Sequence, residues 1–283
     1  MNRRRYLGSA ASALGIAVTG CLDQAGSASD DTNDSDDETT PDETSFPGVE
    51  VGNVRATPEL VAMNTPDSIG TFGDSDEQYV VATVSAEGSS APEYGAFELD
   101  AGGTTHSPDE DAGGMNGHLW TFESPYQTRF GSNDSTEGWI AFTVPKPLDG
   151  ESAAITWPGG DRSLDSDAVD YLARPPTEFE IREFTAPDSV EVGEEATVSG
   201  TVENVGDVDG TFVAARNRSG PWVASTPDGA LSIDVPAGET ATWERSHTVD
   251  ERHLDREDGD NLSMRFHFRC RSDDLTRKVN IEI

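Results

Sequence analysis

Cysteine and lysine are nearly absent from this chain of 283 residues, which has only two of each. The two cysteines, Cys21 and Cys270, allow at most one disulfide, and they allow none within the chain if Cys21 is modified. Lys146 and Lys278 are the lysines, so arginine supplies almost all of the positive charge. These absences exclude a disulfide-stapled secreted scaffold, which needs several cysteine pairs.

Positive charge of any kind is scarce. The chain has 19 Lys and Arg against 54 Asp and Glu. Residues 21–283 keep all the acids but only 16 basic residues, and 16 minus 54 gives a formal charge of −38. Such self-repulsion is screened at molar salt, where the Debye length is ~3 Å. The composition resembles that of proteins from extremely halophilic archaea; the alternative is an acidic surface that binds a basic partner.

A nucleic-acid partner is not expected. Binding of phosphates requires Lys and Arg clustered on one surface. Outside the first residues of the chain, the sequence shows no such cluster.

No apolar stretch is long enough for a transmembrane helix, which needs ~20 residues. The segment Leu7–Val18 has 12 residues, follows Arg3, Arg4 and Arg5, and precedes small residues, which is the order of an export signal. Asn2–Gly8 resembles the twin-arginine export motif, in which Arg3 and Arg4 supply the two arginines. We therefore expect residues 1–20 to form a twin-arginine signal peptide.

Val18–Cys21 resembles a lipobox, in which a small residue precedes the cysteine that becomes the first residue of the mature chain. The resemblance implies that Cys21 is lipidated and that the protein is held at the extracytoplasmic face of the cell membrane. The alternative is an ordinary cysteine behind a cleaved secretory peptide. Residues 23–46 contain nine acidic residues and no basic one. Such a segment cannot bury enough apolar surface to fold, so residues 21–46 are predicted to be a disordered acidic tether.

Residues 47–174 show the alternation of strands. Val80, Ala82, Val84 and Ala86 share one face, as do Ile140, Phe142 and Val144. Residues 101–117 are predicted to be a polar surface loop because they contain five glycines. The pair Pro175–Pro176 predicts a hinge at the end of this domain. Residues 77–84 and 138–145 resemble the DUF4352-type extracellular sandwich.

Residues 175–283 predict about eight short strands, a spacing typical of two packed antiparallel sheets. The stretches 189–198, 202–212 and 235–240 resemble the turns and strands of CARDB and related NEW3-like immunoglobulin-type modules of cell-surface proteins. The predicted fold is therefore all-β, with two tandem immunoglobulin-like β-sandwich domains after the signal peptide and the tether. The resemblance covers residues 178–283 and implies no chemistry.

Metal and redox chemistry has few candidate ligands. Alternation places Cys270 on the inward face of its strand with Phe268, while Arg265, His267 and Arg269 face outward. The lipobox, the tether and the sandwich also resemble the setting of halocyanins, but a blue-copper site needs His and usually Met near the cysteine, and neither follows Cys270. His106, Met115 and His118 are the remaining candidates for a metal site, so a metal-binding or redox accessory role is one alternative function.

Sequence signatures of hydrolases, P-loop proteins and dinucleotide-binding enzymes are absent, and no cofactor is expected. Four sequons permit glycosylation, at Asn33, Asn133, Asn217 and Asn261. Trp222 follows Gly220–Pro221 at a predicted hairpin tip, where binding residues often lie. We therefore expect a lipid-anchored module that contacts surface proteins or glycans without catalysis; an unrecognised extracellular enzyme is a further alternative.

Overall fold

The computed structural model describes residues 45–87, 91–115, 117–120, 128–221, 223–249 and 262–282. The strands of the first half are β1 (Val49–Thr57), β2 (Leu60–Thr65), β3 (Ser68–Phe72), β4 (Glu77–Ala86), β5 (Glu98–Ala101), β6 (Thr104–His106), β7 (Glu137–Pro145), β8 (Ala153–Trp157) and β9 (Gly160–Ser163). The strands of the second half are β10 (Phe179–Thr185), β11 (Ser189–Glu191), β12 (Glu195–Asn204), β13 (Gly210–Ser219), β14 (Thr226–Val235), β15 (Thr240–Thr248), β16 (Ser263–Arg269) and β17 (Asp274–Glu282). The prediction of an all-β sandwich fold is confirmed.

Among the described residues, helical structure is confined to short elements. The single α-helix of the described residues, α1, spans Ser166–Leu172, and the side chain of Asp165 caps it by accepting a hydrogen bond of 2.8 Å from the Ala168 N–H. Two 3₁₀ turns lie at Tyr94–Ala96 and Ser132–Asp134. In the part of the chain that the structure describes, no helix has the length and apolar character needed to span a bilayer.

The first half is a sandwich with the sheet β1-β4-β7 on one side and β6-β5-β8-β9 on the other. Its core lies between the two sheets because the strands alternate as the sequence predicted: Val80, Ala82 and Val84 of β4 pack there with Ile155 of β8. Leu172 of α1 closes one end of this core.

The second face of the sheet β1-β4-β7 is also buried. Tyr79, Val81, Trp139 and Ala141 point away from the first core and pack against Leu60 and Ala62 of β2, Ala112 and Leu119. Residues 109–114 contribute to this layer, since the Asp109 carboxylate accepts hydrogen bonds from the N–H groups of Asp111 and Ala112. The prediction of a polar surface loop over residues 101–117 is therefore wrong for this part, because Ala112 and Gly113 are buried.

The second half pairs the sheet β10-β12-β15 with the five-stranded sheet β11-β17-β16-β13-β14. Eight strands are present, as the sequence predicted, and β11 pairs with β17 in parallel. Aromatic rings fill the core: the rings of Trp243 and Phe268 stack with centroids 4.8 Å apart, and Phe184 lies 5.5 Å from Phe268. Stacked and offset aromatic pairs stabilise such cores beyond the area that they bury.

The hairpin of β2 and β3 joins the two halves. Val61, Met63 and Ile69 point away from the first half and form a separate apolar cluster with Val213 and Ala215 of β13. Leu60 to Met63 are all buried because consecutive side chains enter two different cores. Residues 43–283 consequently form one compact unit, although the sequence predicted a hinge at Pro175–Pro176.

The buried side-chain amide of Asn217 stabilises this contact. Oδ1 of Asn217 accepts a hydrogen bond of 2.7 Å from the Ile69 N–H, and Nδ2 of Asn217 donates one of 2.8 Å to the Ile69 carbonyl. Asn217 is 2% exposed. Its side chain therefore satisfies the two backbone groups of Ile69 at the point where the halves meet.

Substitution of Gly138 in β7 tests the packing of the first half. A Cβ at this position would lie 2.4 Å from the Phe130 nitrogen and 2.7 Å from the Thr128 carbonyl oxygen, both of which are backbone atoms. We expect Gly138→Ala to lower the free energy of unfolding by about 1 to 3 kcal/mol. Gly95→Ala is the control, since a Cβ there meets nothing within 4 Å. Chemical denaturation of both variants checks this, and equal stabilities would contradict it.

Candidate functional site

A cleft of about 350 Å³ opens where the two halves meet. The first half contributes Glu59, from the link between β1 and β2, and Ser75. The second half contributes the start of β10, Phe212 of β13 and the turn between β16 and β17. The lining residues are Glu59, Ser75, Thr177, Glu178, Phe179, Phe212, Cys270, Arg271 and Ser272. We call this the junction cleft; its floor is aromatic and its rim is polar, as in many small-ligand sites.

Glu59 is the most perturbed acid of the junction cleft. It is 8% exposed, and its Oε1 lies 3.5 Å from Nη2 of Arg271. Burial raises the pKa of Glu59 to about 7, and the opposing attraction of Arg271 is smaller. The same Arg271 nitrogen donates a hydrogen bond of 3.0 Å to the Pro58 carbonyl. The cleft thus offers a carboxyl group that is partly protonated near neutral pH and can donate or accept a hydrogen bond.

A smaller cavity of about 30 Å³ shares Glu59, Thr177, Phe179 and Arg271 with the junction cleft. Lys146 lines it, and its Nζ lies 3.4 Å from Oε1 of Gln78 and 5.0 Å from the centroid of the Tyr171 ring. Burial lowers the pKa of Lys146 to about 8, with Arg271 and Arg174 adding to the effect. Polar and charged groups are therefore concentrated at the junction of the halves.

Cys270 borders the junction cleft as a thiol. It packs against the second core, as predicted from alternation, and remains partly exposed. Burial raises the pKa of the thiol, while a contact of 3.4 Å with the Ser272 hydroxyl opposes that effect. A nucleophilic cysteine needs a setting that stabilises the thiolate. Cys270 lacks one and stays protonated at neutral pH.

Several predicted site residues lie outside the described part of the chain. These are the export arginines Arg3 and Arg4, the lipidation site Cys21, the sequons at Asn33 and Asn261, and the proposed contact residue Trp222. Their roles stay predictions.

The two described sequons differ. Asn133 is exposed in a turn and has a positive φ of 54°, so it can accept a glycan. Asn217 cannot do so in the folded chain, because both polar atoms of its amide are bonded to Ile69 in the contact between the halves. Asn217 therefore has a structural role, and the expectation of glycosylation there is wrong for the folded protein.

The candidate metal ligands are not gathered into a site. Met115 is 61% exposed, His118 is exposed, and His106 ends β6 with its Nε2 buried. Among the described residues, no three His, Cys, Asp or Glu side chains lie close enough together to hold a metal ion. The metal-binding alternative therefore gains no support from the geometry.

Sequence reasoning missed Glu59 and Arg271 as a pair. In a chain with 54 acids, the position of one more acid says little. The available signal was the run Leu60–Met63, which directly follows Glu59: a continuous apolar run predicts a strand buried on both faces. A charged residue at the entrance to such a strand is expected to be partly buried.

Comparisons with known proteins leave the family open. No family model and no curated protein matches the chain. Among solved structures, it is similar to a β-glucosidase from Listeria innocua with 18% identity and a TM-score of 0.31, over 38% of this chain and 16% of that one. A DNA glycosylase from Pseudomonas fluorescens gives 13% identity and a TM-score of 0.31, over 42% and 34% of the two chains.

A β-glucosidase from Bifidobacterium adolescentis gives 17% identity and a TM-score of 0.28, over 37% of this chain and 17% of that one. The chain thus spans about a sixth of the length of the two β-glucosidases and about a third of that of the DNA glycosylase. Likeness at this level carries no argument about activity.

Proposed function

We propose that this chain is a lipid-anchored binding module on the extracytoplasmic face of the cell membrane, where it contacts surface proteins or glycans without catalytic turnover. Support for the location comes from the sequence of the first 21 residues, with Arg3 and Arg4 in the export motif and Cys21 in the lipobox. The two packed sheets of the second half agree with the β-sandwich architecture that the CARDB resemblance implies.

The junction cleft is the observation that favours binding. It combines the aromatic side chains of Phe179 and Phe212 with the carboxyl groups of Glu59 and Glu178 and the guanidinium group of Arg271, which is a set suited to recognition. The thiol of Cys270, which lines the cleft, is not an activated nucleophile, because burial raises its pKa. A bound group could accept a hydrogen bond from Arg271 and exchange one with Glu59.

A serine–histidine pair elsewhere also favours binding over catalysis. Ser219 Oγ lies 2.9 Å from Nε2 of His267, but the other ring nitrogen contacts the Thr276 hydroxyl at 3.0 Å. A nucleophilic triad uses a carboxylate at that place to stabilise the imidazolium that forms during the reaction. The neutral Thr276 hydroxyl supplies no such charge.

The anchoring part of the proposal is tested by fractionation. We expect the unaltered chain to sediment with membranes and Cys21→Ser to appear almost entirely in the soluble or secreted fraction, because a thioether-linked lipid is its only proposed anchor. Cys270→Ser is the matched control, and it should sediment like the unaltered chain. Sedimentation of Cys21→Ser with the membranes would refute the anchor.

The binding part is tested by capture from native membranes at molar KCl. Ser272 lies exposed on the rim of the junction cleft, so Ser272→Trp should fill the opening and reduce recovery of a surface partner about tenfold. Ser163→Trp, on the exposed strand β9, is the control. Equal recovery with both variants would place the contact elsewhere, and Trp222→Ala would then test the predicted hairpin tip.

A further inference from the structure

Strands β16 and β17 hold an unusual share of the positive charge. Residues 263–282 contain five of the 19 basic residues of the chain. Along β16, the buried side chains of Met264, Phe266 and Phe268 enter the core, so the intervening side chains lie on the outer face of the sheet. The basic residues on this outer face are Arg265, Arg269 and Lys278.

Arg265 and Lys278 are direct cross-strand neighbours in the register of β16 and β17. Like charges in this position repel each other. Both side chains are exposed, and neither forms an ion pair with an acid of the described residues. Arg269, which follows His267 on the same face, is paired with Asp274 at 3.1 Å. Two adjacent cations that have no acidic partner among the described residues are thus exposed on a protein that has 54 acids.

Hydroxyl groups surround these cations. Ser219 of β13 is the cross-strand neighbour of Arg265, on the side of β16 away from Lys278. Thr276 of β17 is the cross-strand neighbour of His267. The His267 ring lies between the two hydroxyls, 2.9 Å from Ser219 Oγ and 3.0 Å from Thr276 Oγ1. In a neutral imidazole one nitrogen donates and the other accepts. In either tautomer, therefore, one of the two hydroxyls accepts from the ring and keeps its own hydrogen for another acceptor.

The positive region of this face is bounded. On the β13 side, the hairpin of β2 and β3 covers the outer face up to Asn217, which is bonded to Ile69, so the exposed region begins at Ser219. None of the three cavities at the junction cleft, beneath Lys146 or beside Asp109 includes Arg265, His267 or Lys278 among its lining residues. Along β17, Asn280 follows on the same face, and Glu282 ends the positive region. We call the group of Ser219, Arg265, His267, Thr276 and Lys278 the cationic strip.

We propose that the cationic strip binds an acidic polysaccharide, whose carboxylate or sulfate groups contact Arg265 and Lys278 and whose hydroxyl groups exchange hydrogen bonds with Ser219 and Thr276. This inference rests on the proposed function and names a ligand class for it. Charge complementarity selects an anion, and the row of side chains lies across three adjacent strands.

A polymer fits this surface better than a single small anion. Each exposed charge contributes little, and molar salt screens it further. Repeated anionic groups on one chain raise the effective concentration for each later contact, so several small contributions combine. The row of Ser219, Arg265 and Lys278 offers contacts to such a chain across three strands, whereas an isolated anion would have no enclosing wall.

The test measures binding of the full-length chain to immobilised polygalacturonate and dextran sulfate, with neutral dextran as the uncharged control. We expect the chain to bind both anionic polymers and not dextran. Arg265→Ser and Lys278→Ser should each weaken binding about threefold to fivefold, and the double variant should weaken it about tenfold or more. Arg162→Ser, which removes an exposed arginine from β9, carries the same charge change and should alter binding less than about twofold.

Three results would overturn the inference: no binding to either anionic polymer by a folded chain, equal binding to neutral dextran, or an equal loss in Arg162→Ser. Binding to vesicles of phosphatidylglycerol without binding to the polymers would also reject it and would indicate lipid headgroups. Thermal unfolding of the double variant verifies that it is folded, since removal of a like-charge pair is not destabilising. If the double variant still recovers a surface partner from membranes, the proposed function stands and only this ligand class fails.

Discussion

Asn217→Ala is expected to lower the free energy of unfolding by about 2 to 5 kcal/mol. The substitution leaves the N–H and the carbonyl of Ile69 without their partners, which lie 2.7 and 2.8 Å away in the unaltered chain. Each backbone polar group left unsatisfied in the interior costs about 1 to 3 kcal/mol. The two losses occur at the same place, in the contact that joins the halves.

Denaturant unfolding at molar KCl, followed by tryptophan fluorescence, measures this effect. Asn280→Ala is the control, because Asn280 is exposed and its Nδ2 donates a single hydrogen bond of 3.1 Å to the Asp188 carbonyl. We expect that variant to lose less than about 1 kcal/mol. A loss below about 0.5 kcal/mol for Asn217→Ala would mean that Ile69 is satisfied without the amide.

Glu59→Gln is expected to change the pH dependence of stability. The pKa of Glu59 is raised from 4.5 to about 7 in the folded chain, chiefly by burial. The folded protein therefore binds more protons than the unfolded chain between these two values, and stability falls as the pH rises through this window. A difference of this size corresponds to about 3 kcal/mol. Glutamine has no proton to lose, so this contribution disappears in the variant.

The measurement compares free energies of unfolding at pH 4.5 and pH 8 for the unaltered chain and the variant. Relative to Glu59→Gln, the unaltered chain should lose about 3 kcal/mol between these two conditions. Glu98→Gln, a substitution at an exposed residue of β5, should leave the difference unchanged. If the free energy of unfolding changed equally with pH in the unaltered chain and in Glu59→Gln, Arg271 would compensate fully for the burial of the carboxyl group.

Alternation was sufficient to predict β4, β7 and β8 of the first half, the eight strands of the second half and the two main cores. Val80, Ala82 and Val84 enter the first core, and Met264, Phe266 and Phe268 enter the second, as their spacing indicated. These predictions succeeded because a strand buried on one face leaves a period of two in the sequence. The pattern depends only on the order of apolar and polar residues within one strand.

The contact between the halves could not be predicted in the same way. Val61 and Met63 meet Val213 and Ala215 across about 150 residues of sequence, and no periodicity indicates such a distant partner. Asn217 is buried by that contact, which the sequence does not reveal, so its sequon was interpreted as a glycosylation site. Glu59 and Arg271 are paired by the same long-range arrangement. The junction cleft therefore required the structure.

The doubly buried hairpin of β2 and β3 has an evolutionary consequence. A sandwich linked only by a short connector can be exchanged between genes as a cassette, because nothing else ties it to its neighbour. Here, recombination at Pro175 would remove Val213 and Ala215, against which Val61, Met63 and Ile69 pack. An apolar surface would then be exposed to water. Division of the chain at Pro175 would therefore expose apolar side chains that each half covers for the other in the intact protein.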